Sequence, residues 1–201
     1  MTRFLLVRHA LTAATNSTLI GRLPGFSLSP RGVEQAAHVA AYVRRFQAEM
    51  VLSSPLERAA ETAIHIAQAC GVKVETDRSF DECDFGRWTG MTFSALALDP
   101  DWKLYNSRRS FSSAPGGESL QDVQYRAIRR LNQLDREHSG KTVAVVTHAD
   151  VIRSILTYVA GVPIDLYIRF AIDPASVSIV GFGGDYPVLE GVNLTVPTCE
   201  S

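Results

Sequence analysis

Two apolar runs, each ending in a histidine, constrain this chain more than anything else in it. Phe4-Leu5-Leu6-Val7 is followed at once by Arg8-His9, and Thr142-Val143-Ala144-Val145-Val146-Thr147 by His148. Uninterrupted apolar runs of this length read as buried strands. In an open α/β sheet, ligands bind just outside the carboxyl ends of the strands. Each run therefore delivers an imidazole to the place where such folds keep their sites, and the first delivers a fixed cation with it. Strand ends are often polar for no functional reason, but packing gives no account of a histidine at both. His38 and His65 fall inside helical patterns and His138 at a helix end, where surface or packing roles are ordinary.

The length suits one α/β domain over residues 1–201 with a sizeable core. A formal net charge of -1 points to neither nucleic acid nor a membrane surface as partner. The pairs Arg44-Arg45, Arg108-Arg109 and Arg129-Arg130 are scattered and read as solvated faces. No apolar run is long enough to span a bilayer. The first strand starts at residue 3 or 4, leaving no room for a signal peptide. Cys70, Cys83 and Cys199 are an odd, widely spaced set, read as free thiols in a reducing cytosol. A cytoplasmic protein is therefore expected. No His-x-x-x-His or Cys-x-x-Cys spacing suggests a metal. Oligomeric state is not set by the sequence.

Between the strands the chain alternates loop and helix. Residues 10–30 are polar and small, with Gly21, Pro24 and Gly25, and carry Arg22. Ser29-Pro30 reads as an N-cap and first helical position. Val33, Ala36, Ala37, Ala40 and Val43 then mark the apolar face of a helix over 30–46. Met50-Val51-Leu52 reads as a short strand. Ser54, Pro55 and Glu57 have the pattern of a capping box that opens a helix ending at Gly71. Arg58 then lies in the first turn, where a cation opposes the helix dipole unless an anion binds between them. Residues 72–75 read as a third strand.

Asp81, Glu82 and Asp84 follow, set among Phe80, Phe85, Trp88 and two glycines. A carboxyl beside apolar surface has a raised pKa and can hold a proton for acid catalysis. Residues 92–118 look irregular and read as an insertion over a site. Their Gly116-Gly117 lacks the Lys-Ser/Thr of a P-loop. Ser119 begins a helix that ends near Gly140. Asp150 is a candidate cap for a helix over 151–160, residues 176–180 alternate as a strand, and Val188, Leu189 and Val192 suggest an added edge.

Taken in order, these segments resemble the histidine phosphatase superfamily, also called the phosphoglycerate mutase-like family. The resemblance covers about residues 3–182. It rests on Arg8-His9, Ser53 to Ala59 (Ser-Ser-Pro-Leu-x-Arg-Ala), and the segment holding Glu82, Phe85, Gly86, Trp88 and Gly90. Pro115 to Ser119 (Pro-Gly-Gly-Glu-Ser) and His148 complete it. Each motif is weak alone, whereas five in order are specific. Ala10 and Ala149 stand where the family usually has glycine. The asparagine that the family often places six residues after its nucleophile is replaced by Thr15, with Asn16 one further on.

The resemblance implies a three-layer α/β/α sandwich with a mostly parallel central sheet. It implies that His9 is transiently phosphorylated, that Arg8, Arg58 and a protonated His148 hold the phosphoryl group, and that Glu82 is the general acid and base. Thr15, Asn16, Arg22 and Ala149 are its further candidates for phosphate or substrate contact. It implies a phosphatase of histidine acid phosphatase type acting on a small-molecule phosphate ester, with no cofactor and no metal, the arginines supplying the positive charge. The alternatives are a cofactor-dependent phosphoglycerate mutase-type phosphotransferase, disfavoured because family mutases tend to carry a longer insertion, and a catalytically silent binding module on the same fold.

Overall fold

The computed structural model describes residues 1–15 and 17–196. Six strands form one sheet: β1 (Thr2–Arg8), β2 (Met50–Ser53), β3 (Val74–Thr76), β4 (Thr142–Thr147), β5 (Val177–Phe182) and β6 (Val188–Leu194). Their order across the sheet is β3-β2-β4-β1-β5-β6. The first four are mutually parallel, β5 runs against β1, and β6 runs against β5.

The apolar runs have a direct cause. Alternate residues of a strand face opposite sides of the sheet, and here both sides are covered. Phe4, Leu6, Val143 and Val145 belong to one core, and Leu5, Val7, Ala144 and Val146 to the other, all with no exposed surface. The second core is closed by α1 (Pro30–Arg44) and α2 (Glu57–Cys70). The first is closed by α5 (Leu120–Glu137) and α6 (Ala149–Val159), with α3 (Phe93–Leu96) and α4 (Pro100–Ser107) lying toward its edge. This is the expected three-layer arrangement. No helix among the described residues is long and apolar enough to cross a membrane.

Several local expectations need correction. Residues 92–118 are not irregular, since they contain α3 and α4, started by the side chains of Thr92 and Asp99. The buried face of α1 is Gly32, Ala36, Val39, Ala40 and Val43, while Val33 and Ala37 face outward. The third strand begins two residues late, at Val74. Asp150 does not cap α6. His148 is the N-cap residue and Asp150 lies in the first turn, bonded to Arg153 at 3.0 Å. Ser54, Pro55 and Glu57 form no capping box. The N-cap of α2 is Leu56, with no side-chain bond. Glu57 instead takes the Gly25 N–H at 2.8 Å, holding the long loop against the helix.

The sheet order fixes where a site can form. The chain leaves β1 toward β2 on one side and leaves β4 toward β5 on the other, so β1 and β4 are neighbours whose connections diverge. Such a switch point opens a crevice at the carboxyl ends of the two strands.

Candidate active site

The β1–β4 register pairs Arg8 with Thr147. The next residues, His9 and His148, therefore emerge side by side, their ring centroids 5.2 Å apart. His9 Nδ1 lies 2.8 Å from the Ala10 carbonyl oxygen. A carbonyl only accepts, so Nδ1 carries the proton and Nε2 keeps its lone pair. The Arg58 Nε–H donates to that Nε2 at 3.2 Å. Burial, then the nearby guanidinium groups of Arg58 and Arg8, hold the His9 pKa well below its ordinary value. His9 is thus a neutral, oriented imidazole. The methyl of Ala10 is fully buried, and the backbone N–H of that residue donates to Thr62 Oγ1 at 3.1 Å.

Arg58, in the first turn of α2, is only 2 % exposed. Its Nη2 donates to the Gly21 carbonyl at 2.8 Å and lies 3.3 Å from His148 Nδ1. Its Nη1 is buried with no partner, as is the Nε of Arg8, while Arg8 Nη1 is held by the Ile172 carbonyl. A buried guanidinium group (Arg58) and a partly buried one (Arg8), each with a free buried donor beside a histidine, make a candidate anion slot.

Glu82 lines the same cleft of about 330 Å³ as Arg8, His9, Thr15, Arg58 and Ala149. Burial first, and then the negative charge of Asp150, raise its pKa to about 7 against the pull of the Cys83 N–H, Arg58 and Arg126. The other two carboxylates of the segment point elsewhere. Asp81 accepts from Ser54, and Asp84 takes the Gly86 N–H. The backbone carrying Glu82 is clamped. Arg22 Nε and Arg126 Nη2 both donate to its carbonyl, at 2.8 and 3.3 Å, and both arginines are held by Glu118. The Pro115–Gly117 turn lies directly on this segment. A methyl on Gly117 would stand 2.2 Å from the Asp84 carbonyl oxygen, and one on Gly86 2.2 Å from that of Pro115. Gly117 and Gly86 thus serve close backbone packing, while Gly116 has open space around it and takes a left-handed φ of +73°.

Three expectations about charged side chains change. Arg22 does not line the cleft. It is spent on Glu118 and on the Glu82 backbone. Arg109 is no solvated residue: it is 2 % exposed, its guanidinium 3.8 Å from the Tyr105 ring centroid and 4.4 Å from that of Tyr167. Burial, then Arg58, His9, Arg126 and Arg8, hold the His148 pKa well below its ordinary value, so the ring is neutral. Asn16 lies outside the described residues, as does Cys199. Thr15 Oγ1 accepts the Thr12 N–H at 2.9 Å. Beyond His9, the cleft wall is built by Phe93, Trp102, Asn106, Arg109, Asp150, Arg153 and Tyr167. None of these was singled out as a site residue in the sequence, apart from the general placing of residues 92–118. Among the described residues, no group of three or more His, Cys, Asp or Glu side chains could hold a metal ion.

With this geometry in view, the comparisons with known proteins are specific. The pattern of the histidine phosphatase superfamily (branch 1) matches residues 4–195. The chain belongs to that superfamily. A relative from Mycobacterium tuberculosis, "Bifunctional protein Rv2228c", is 34% identical over 186 residues, covering 92% of this chain and 51% of the relative. The chain thus spans about half the length of that relative. "Phosphoserine phosphatase 1" of Hydrogenobacter thermophilus is 30% identical over 200 residues, covering 97% of this chain and 93% of that one. Among solved structures, a mycobacterial glucosyl-3-phosphoglycerate phosphatase complexed with VO3 superposes with a TM-score of 0.86. It is 26% identical, with 96% of this chain and 99% of the other covered.

Proposed function

We propose that this protein of the histidine phosphatase superfamily hydrolyses small-molecule phosphate monoesters through a phosphohistidine on His9. The observation that carries the reading is the His9 ring. Its Nδ1 proton is tied to the Ala10 carbonyl, which leaves on Nε2 the lone pair that takes the Arg58 Nε–H at 3.2 Å, beside unpartnered donors of Arg58 and Arg8; attack on phosphorus needs that one bond released to the incoming anion. A neutral nucleophile avoids adding repulsion to a dianionic ester, and the preorganised guanidinium groups stabilise charge on the transferring phosphoryl group. Glu82, with a pKa of about 7, is suited to protonate the leaving oxygen and then to take the proton of the water that cleaves phosphohistidine. The two arginines supply the positive charge that a metal supplies elsewhere.

The far wall supports a narrower substrate class. Arg109 Nε and Nη1 are buried without a hydrogen bond, Nη1 standing 3.9 Å from Asp150, and Arg153 donates to that single carboxylate at 3.0 Å. Two cations against one anion favour a leaving group that carries its own negative charge, such as the carboxylate of a phosphorylated hydroxy acid. The names of the relatives, a phosphoserine phosphatase and a glucosyl-3-phosphoglycerate phosphatase, accord with this class. The test is phosphate release from matched monoesters with and without a carboxylate, with a chelator present. The reading expects turnover of both, with kcat/KM higher for the carboxylates and reduced toward the neutral esters in Arg109→Met. No release from any ester, a nitrophenyl ester included, would refute it. Faster interconversion of phosphoglycerate isomers with 2,3-bisphosphoglycerate than phosphate release would favour a mutase.

A further inference from the structure

Behind the anion slot lies a chain of buried polar groups that the reaction above does not use. Ser54 and His148 have no exposed surface, and Asp81 is 6 % exposed. Ser54 Oγ donates to Asp81 Oδ1 at 2.9 Å, and His148 Nε2 is 3.0 Å from that same Oγ. The single hydroxyl proton of Ser54 is committed to the carboxylate, so Ser54 accepts from His148, and Nε2 carries a proton. Nδ1 is then the lone pair that meets Arg58 Nη2 at 3.3 Å. The far end is fixed as well. Asp81 is held through its carbonyl by Arg126 at 2.7 Å, and the Thr147 hydroxyl donates to the Phe80 carbonyl at 2.6 Å. The other charged or titratable groups around the chain are Arg58 on α2, the neutral His9 and the cationic Arg8 at the end of β1, Arg126 on α5, and the exposed Arg78, 3.7 Å from Asp81.

Resting on the phosphatase reading, we propose that Ser54 and Asp81 are positioning residues that let His148 become a cation only when an oxyanion occupies the slot. The anion draws Arg58 off Nδ1. His148 then takes a proton from solvent on Nδ1 and donates a hydrogen bond from that N–H to an anion oxygen, while the Nε2–H keeps its hydrogen bond to Ser54 Oγ. The imidazolium so formed lies between the bound anion and the Asp81 carboxylate, one hydroxyl away. Without a bound anion the same ring stays neutral, so the pocket is spared a further unpaired buried charge among its arginines. Ser54 Oγ also lies 3.4 Å from the N–H of Leu56, the N-cap residue of α2, so the link is tied to the start of that helix.

Tungstate, a dianion across the neutral range, is the probe. Protein with 15N-labelled histidine is titrated with it at pH 7.5, and His148→Gln assigns the resonances. We expect a neutral Nε2–H ring in the free protein and an imidazolium in the complex. In Asp81→Asn the bound ring should stay neutral, and tungstate affinity should fall on the order of ten- to a hundredfold, the worth of a charge-assisted hydrogen bond. Ser54→Ala, which cuts the link without touching the acid, should do the same, and serves if Asp81→Asn does not fold. A merely structural role would weaken binding but leave His148 protonated in the variant complexes, which overturns the proposal. A ring that stays neutral in the wild-type complex also overturns it and leaves the phosphatase reading standing. Failure of tungstate to bind overturns both.

Discussion

Glu82 is the side chain whose protonation the proposed chemistry depends on, and its environment makes a quantitative demand on stability. In the unfolded chain its pKa is near the ordinary 4.5, and in the fold it is about 7. A carboxyl whose folded pKa is raised binds its proton more tightly when folded. The associated stability is fully present below pH 4.5 and is lost as the pH rises through 7. The gap corresponds to on the order of 3 kcal/mol of lost stability above pH 7, and below about 1 kcal/mol at pH 5. Glu82→Gln removes the titration and keeps an oxygen to accept the Cys83 N–H, which Glu82 Oε1 takes at 2.8 Å. The variant should therefore be more stable than the wild type at pH 8, by as much as roughly 3 kcal/mol, while being the poorer enzyme. Its advantage should shrink toward pH 5. Urea unfolding of both proteins at the two pH values, with m-values compared, measures the difference. An advantage that does not depend on pH, or none at pH 8, would refute the raised pKa and with it the acid–base role built on it.

Two further outcomes follow from the same site. Glu82→Gln should slow phosphorylation by alkyl esters by about 10²–10⁴-fold. With nitrophenyl phosphate, whose leaving group needs no proton, stopped-flow traces should show a phenol burst and then slow turnover; equal losses and no burst would assign the acid elsewhere. Asp150→Asn removes the negative charge that, after burial, does most to raise the Glu82 pKa, so the alkaline limb of kcat/KM for an alkyl ester should move to lower pH. A limb that stays in place would deny Asp150 that influence.

What the sequence made legible were features written in consecutive residues. The runs of β1 and β4 are apolar because both faces of the sheet are covered, and a strand end followed by histidine needs no tertiary information to be noticed. The meeting of His9 and His148 does require it, because it depends on the Arg8–Thr147 register. Ser54 misled because serine, proline and glutamate at those spacings are cap residues by local rules, whereas the Ser54 hydroxyl is claimed by Asp81 and His148 from distant segments. Arg109 was unreadable for the same reason. Nothing separates it from Arg108 locally, and its burial comes from Tyr105 and Tyr167, contributed by different parts of the chain. Asp81, Glu82 and Asp84 are alike in local composition, and only the family resemblance singled out Glu82; in the fold Asp81 meets Ser54, Glu82 lines the cleft and Asp84 takes the Gly86 N–H.

The central claim is that His9 Nε2 attacks phosphorus. Rapid acid quench of the protein turning over a 32P-labelled monoester, followed by mapping of the labelled peptide, tests it most directly. The account predicts acid-labile, base-stable label on His9, absent from His9→Ala. Turnover without any phosphoprotein, or label on another residue, would contradict it.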